Sequence, residues 1–170
     1  MACIKKLTSA LAFDCDSGTM GFKDAFYINR DDLYITSVVN NLATIEFYGP
    51  RYKIDTVKRS LVISESLRVN ESAPNAFTHE AVLNVFTKGD RRIQNDIRNA
   101  SLVIFARGND GQVRVYGLYY GLRASASAES SHDNGGWSQF TLSTPDGVVG
   151  EDSITYSSAD YQTEYDAALG

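Results

Sequence analysis

The chain is short of almost everything that staples, kinks or catalyses. Its 170 residues include 2 Cys, 2 His, 3 Pro and 1 Trp. Two cysteines, Cys3 and Cys15, cannot staple a domain of this size, and with His79 and His132 far off in sequence they do not make a structural zinc set. A reduced site of synthesis, the cytoplasm of the cell that makes the chain, is the simplest expectation. Long apolar runs are missing too. Leu7–Phe13, behind Lys5-Lys6, is short, contains Thr8 and Ser9, and is followed by no small-residue cleavage site, so neither a signal peptide nor a membrane-inserting segment is expected. Lys and Arg vanish after Arg123: residues 1–100 carry 13 Lys/Arg against 12 Asp/Glu, residues 101–170 only 3 against 9, for a net charge of −5. With no basic stripe to neutralise phosphates, duplex clamping is not expected, while a surface that repels nucleic acid is compatible with the charge.

What is abundant points to strands. Tyr (10), Phe (8) and Gly (13) are plentiful, and 43% hydrophobic residues with 22% charged is a globular balance. Leu7–Asp14 reads as a first strand closed by Asp16-Ser17-Gly18. Phe22–Asn29 is an aromatic strand ending at Arg30-Asp31-Asp32. Tyr34–Val39 and Thr44–Tyr48 form a hairpin around Asn40-Asn41. From Val57 the odd positions Val57, Leu61, Ile63, Leu67 and Val69 alternate with mostly polar neighbours. After Asn70–Asn75, alternation resumes over Thr78–Thr87, with Ala81, Leu83 and Val85 on one face. These two long strands predict an extended hairpin arm over residues 57–87, too long for a small domain to cover by itself. Asp90 caps a helix over Arg91–Ala100, whose stripe is Ile93, Ile97 and Ala100. Leu102–Arg107 and Gln112–Tyr119 make a hairpin through Gly108-Asn109-Asp110-Gly111, and Trp137–Ser143 is a later strand beyond a polar loop at Ala128–Gly136. The expected fold is mainly β: an antiparallel β-sandwich or barrel with one flanking helix at 90–100. Residues 1–143 form the domain, and 144–170 an acidic extension with weak strand character at Ile154–Tyr156, partly mobile or ordered by a neighbour.

Catalytic patterns are fragmentary. Phe13-Asp14-Cys15-Asp16-Ser17-Gly18-Thr19 nearly spells the nucleophile loop of haloacid-dehalogenase-type phosphatases, but Ser17 interrupts it and the downstream pattern is antiparallel rather than α/β. Carboxylates on both sides suppress the Cys15 thiolate. Ser131-His132-Asp133 are adjacent and cannot converge on one atom. His79 and Glu80 point to opposite faces of one strand, His79 reading as a strand-surface residue. Asp14, Asp16, Asp110 and Asp133 lack the spacing of a calcium loop and suit turns. No catalytic residue, cofactor or metal is expected.

The ordered motifs are another matter. Ala12-Phe13-Asp14-Cys15-Asp16, Gly21–Ile28 with Asp31-Asp32, Tyr52-Lys53-Ile54, Glu65-Ser66-Leu67, Phe77-Thr78-His79-Glu80, Asp90–Ala100, Leu102-Val103-Ile104 and Asn109–Val113 with Tyr116-Gly117-Leu118, Gly121-Leu122 and Trp137–Leu142 together resemble tail structural proteins, of tail-tube type, from tailed phages and prophages of gut anaerobic bacteria. Met20-Gly21 stands where that family usually has a Gly pair, and the segment after Thr144 is longer and more acidic. The resemblance implies a non-enzymatic virion protein that assembles into hexameric rings or a multiple of six, as tail tube or as a neck or terminal ring. Its partners would be further copies, other tail, neck or portal-proximal proteins, and DNA passing without specific binding. The hairpin face Leu61, Ile63, Leu67, Val69, Leu83 and Val85 is the candidate subunit interface. The alternative is a β-sandwich fibre or capsid-decoration module, with Tyr119, Tyr120 and Trp137 stacking on a glycan or host surface.

Overall fold

The computed structural model describes residues 21–54, 60–69, 71, 75–85, 91–130, 137–148, 150 and 152–170. The expected first strand Leu7–Asp14, Asp90 and the polar loop at 131–136 lie outside the described residues.

The architecture grows from one pair of strands. β1 (Phe22–Asn29) and β7 (Ser101–Gly108) run antiparallel, with Phe26 opposite Phe105 and Ile28 opposite Val103. β7 reads Leu102-Val103-Ile104-Phe105-Ala106, an unbroken apolar run, and all five residues are buried. A continuous run of this kind is the signature of a strand covered on both faces. Phe26, Ile28, Val103 and Phe105 face one core; Ala25, Leu102, Ile104 and Ala106 face the other.

The sheet branches at β7 to cover each face. Towards the first core, β8 (Val113–Tyr116) pairs with β7, then β11 (Ile154–Tyr156), β3 (Leu42–Phe47) and β2 (Leu33–Val39) follow. Towards the second, β9 (Leu122–Ser130) pairs with β7, then β10 (Trp137–Ser143), β6 (Ala76–Val85) and β5 (Leu61–Arg68). The short β4 (Tyr52–Ile54) lies on the outer side of β1. Among the described residues the strand pairings are antiparallel except β11 with β3, and β2 and β5 end the described sheet, so the mainly β fold is not closed into a barrel. Asn40 and Asn41 adopt positive φ (50° and 65°) between β2 and β3, the geometry of the tight hairpin expected there. Gly111 turns β7 into β8 at φ 80°.

Two features depart from expectation. The segment after Thr144 is no loose extension. β11 is inserted between β8 and β3, and α2 (Ser158–Ala167) closes the first core with the fully buried Tyr161. Ser157 caps α2, its hydroxyl accepting from Asp160 N–H, and Leu169 is held by backbone bonds to Arg51 and Lys53. Among the described residues the fold therefore has two flanking helices, α1 (Arg91–Asn99), with Ile97 buried in the second core, and α2. Second, the hairpin is not a free arm, because β6 pairs with β10 from Glu80 to Val85. Only its distal end, Glu65–Arg68 with Ala76–His79, runs past β10.

Candidate functional site

The hairpin that carries the predicted interface divides into a buried root and an exposed tip. Leu61 and Leu83 are buried and Ile63 half-buried, all packed in the second core of their own chain. Leu67 and Val69 are 51% and 71% exposed. Val85 is placed opposite Ser138 in the ladder, its side chain outside the described residues. Thus the five described side chains do not form one outward face, three of them packing in the core and two lying in solvent: the alternation that reads as one stripe begins in the core and ends in solvent. Val62, on the other face, is 46% exposed.

The backbone of β5 adds a second property. Asn84 N–H donates to Ser60 C=O at 2.8 Å, which makes Ser60–Asn84 a hydrogen-bonded antiparallel pair. Because such pairs alternate, and the register runs without a shift from Leu61↔Leu83 to Arg68↔Ala76, the even residues of β5 bond to β6. Leu61, Ile63, Glu65 and Leu67 turn their N–H and C=O groups away from β6, on the strand that ends the sheet.

A cleft of about 600 Å³ lies beside this edge, lined by Leu61, Val62, Ile63 and Glu65 of β5 and by Gly21, Phe22, Asp110, Arg114 and Tyr116 across from it. Its two carboxylates, Asp110 and Glu65, are already engaged. Asp110 accepts from Gln112 N–H at 3.1 Å, the turn role expected from sequence. Glu65 Oε2 accepts from Ser153 N–H at 3.0 Å and lies 3.1 Å from His79 Nε2.

His79 is a correction to the surface placement. It shares the inward face of Ala81 and Leu83 and is 1% exposed, its ring edge-on to Tyr116 at 5.3 Å. Gly117 N–H donates to Nδ1 at 3.3 Å, so the neutral tautomer carries its proton on Nε2 and donates to Glu65. Burial lowers the pKa of the imidazole, with the Glu65 carboxylate pulling the other way. The chain Gly117–His79–Glu65–Ser153 ties β6, the turn after β8, β5 and the entry to β11 into one network.

A second buried network, which sequence reading missed, holds α2. Asp24 accepts from Arg107 Nε–H at 3.0 Å and from its Nη2, and from the Tyr161 hydroxyl at 2.8 Å. The Arg107 guanidinium lies 5.1 Å over the Tyr161 ring and donates to Gln162 at 2.8 Å. Its bond to Asp24 raises the Arg107 pKa, and burial followed by the bond to Asp24 raises that of the Tyr161 phenol, so the guanidinium stays charged and the phenol neutral. Asp24 and Arg107 sit opposite each other in the β1–β7 ladder, the only legible signal of this pair.

At the other end of the sheet, the outer face of β2–β3 exposes Tyr34 (61%), Val39 (63%), Leu42 (47%) and, just beyond β3, Tyr48 (72%). Tyr119 and Tyr120 are 43% and 44% exposed in the turn after β8, where Arg30 Nε donates to Tyr119 C=O at 3.0 Å. The side chain of Trp137, and Cys3, Asp14, Cys15, Asp16, Ser131, His132 and Asp133, lie outside the described residues. Among the described residues no three His, Cys, Asp or Glu side chains gather as a metal site, and no helix is long and apolar enough to cross a membrane. Comparisons with protein-family models, with curated proteins and with solved structures find no match to this chain.

Proposed function

We propose that this chain is a non-enzymatic structural subunit of a phage virion that self-assembles into rings, as tail tube or as a neck or terminal ring, and so forms a conduit for DNA. The observation that carries the reading is the presence of two unlike apolar surfaces at opposite ends of one sheet. One is the hairpin tip with Leu67 and Val69; the other is the outer face of β2–β3 with Tyr34, Val39, Leu42 and Tyr48. Exposed apolar strands at a sheet end are a hazard to a monomer and an asset to an assembly. Contact between unlike patches is head-to-tail, and it generates a ring when the rotation closes. The sixfold symmetry and the place in a virion come from the motif resemblance alone. The exposed carboxylates Glu129, Asp146, Asp152, Asp160 and Asp166 suit a conduit, since like charge keeps DNA from adhering.

Negative-stain electron microscopy of the purified protein, with mass determination over a concentration series, tests the reading. Rings or stacked tubes are expected. The paired change Leu67→Asp and Val69→Asp is expected to abolish them while leaving the melting temperature unchanged, since both side chains are exposed. A strict monomer at millimolar concentration sinks the proposal. The exposed Tyr119–Tyr120 pair keeps one other reading in view, a fibre or decoration module, for which glycan binding lost on Tyr119→Ala, without self-assembly, is the signature.

A further inference from the structure

His79 is held between two unlike partners, and only one of them tolerates a second proton on the ring. Nδ1 accepts from Gly117 N–H at 3.3 Å, while Nε2 lies 3.1 Å from Glu65 Oε2. Glu65 stands opposite His79 in the β5–β6 register, which brings the two side chains together on one side of the hairpin. The backbone behind the ring is clamped: His79 N–H donates to Thr144 Oγ1 at 2.9 Å and Thr144 N–H to His79 C=O at 3.0 Å. The ring is 1% exposed, so bulk water does not compete for either nitrogen. A proton on Nδ1 turns that acceptor into a donor aimed at the Gly117 donor, whereas the bond to Glu65 gains charge assistance.

We infer that His79 is a one-sided pH latch: its protonation releases the Gly117 peptide and the turn that begins there, while the hairpin stays tied through Glu65. The released element is small. Gly117 enters the turn between β8 and β9 at φ 73°, and that turn presents Tyr119 and Tyr120, half-exposed. Arg30 Nε–H to Tyr119 C=O at 3.0 Å and the Ser101 hydroxyl to Tyr120 C=O at 3.2 Å still hold its far end, so the opening is local and β9 keeps its place. Among the described residues, the ionisable groups facing the ring are Glu65 from β5, Asp152 from the entry to β11 and the Tyr116 phenol from β8, with Arg114 beside that phenol. The two carboxylates favour the charged ring and burial disfavours it. Burial is the larger effect, so the latch opens below the ordinary histidine range. Were carboxylates to face both nitrogens, protonation would tighten both sides; the backbone donor of Gly117 makes the response asymmetric. The latch is independent of the assembly reading.

Nitrogen NMR and site-resolved hydrogen exchange on the full chain, titrated from about pH 7.5 to 5, provide the test. At neutral pH the ring is expected to be the Nε2–H tautomer, with a scalar coupling across the hydrogen bond from Gly117 N to His79 Nδ1. As the ring titrates, that coupling is expected to vanish and the protection of the Gly117 amide to fall roughly 10-fold or more beyond any fall at Phe105, which reports global opening. The Ser153 amide, bonded to Glu65, is expected to follow Phe105 instead. An Nδ1–H tautomer at neutral pH overturns the inference, as does a Gly117 amide that merely tracks Phe105, or a Ser153 amide that opens together with Gly117. Glu65→Gln removes a carboxylate that favours the charged ring, so the midpoint of the Gly117 step is expected at lower pH; an unmoved midpoint counts against the latch. His79→Gln does not titrate and is expected to abolish the step, and a step that survives it overturns the assignment. The titration of the unaltered chain decides the matter even where His79→Gln does not fold.

Discussion

Tyr161 shows how one side chain can anchor a polar helix. Its ring stacks on Phe26 at 5.3 Å, and its hydroxyl reaches Asp24. Asp24 and Arg107 side chains are 12% and 15% exposed, so the pair depends on mutual satisfaction more than on Coulomb attraction through water. Tyr161→Phe keeps the stack and leaves Asp24 bound to Arg107, and it is expected to cost about 1.5 kcal/mol. Arg107→Ala strands a buried carboxylate, with an expected loss of about 3–5 kcal/mol. Urea denaturation separates the two, and equal losses would contradict this account. His79 gives a pH-dependent counterpart. Because burial holds its folded pKa below the ordinary 6.5, the unfolded chain takes up a proton first as pH falls. Stability is therefore full above about pH 6.5 and declines below it, toward the lowered folded value. His79→Gln is expected to be less stable at neutral pH and to have a flatter profile from about pH 6.5 to 5, read from urea midpoints.

At the scale of elements, alternation was legible and coverage was not. β1, the β2–β3 hairpin, the β7–β8 hairpin, α1 and β10 follow their apolar spacing and turn residues closely. β9 is less legible because Leu122-Arg123-Ala124-Ser125-Ala126-Ser127 pairs small side chains of weak strand preference with β10. Alternation over β5 and β6 locates two strands but carries no information on whether β10 or another subunit covers them. His79 had a readable signal, its place on the Ala81–Leu83 face, outweighed by its polarity. In the C-terminal segment the strand Ile154–Tyr156 is legible, whereas the helix is not, because Ser158–Ala167 has no aliphatic stripe: it docks through Tyr161, with Tyr165 stacked beside it at 5.9 Å and Lys53 4.9 Å from the Tyr165 ring. A chain ending at Gly150 lacks β11 and α2 and uncovers Phe26, Phe47 and Phe105, which pack against Tyr156 or Tyr161. That truncation is expected to lose near-ultraviolet circular dichroism and to bind a hydrophobic dye, as a core without fixed packing does. Retained native packing would show that the segment is an appendage after all.

Over the whole molecule, charge opposes the proposed assembly. Each chain carries −5, and after Arg123 the sequence has no Lys or Arg. Bringing such subunits into a ring concentrates like charge, while the proposed contacts, through Leu67 and Val69 on one side and Tyr34, Val39 and Leu42 on the other, are apolar and gain nothing from Coulomb attraction. Salt shortens the range of the repulsion from ~30 Å at 0.01 M to ~8 Å at 0.15 M without weakening apolar burial. Ring formation is therefore expected to strengthen as salt rises across that interval, with the concentration for half-assembly falling several-fold, as sedimentation can measure. An interface built on ion pairs would show the reverse slope. The same experiment bears on the passage of DNA. A duplex added at 0.01 M salt is expected to remain unbound by assembled rings, because carboxylates repel phosphates most where screening is least, whereas a basic clamp would bind it most tightly there.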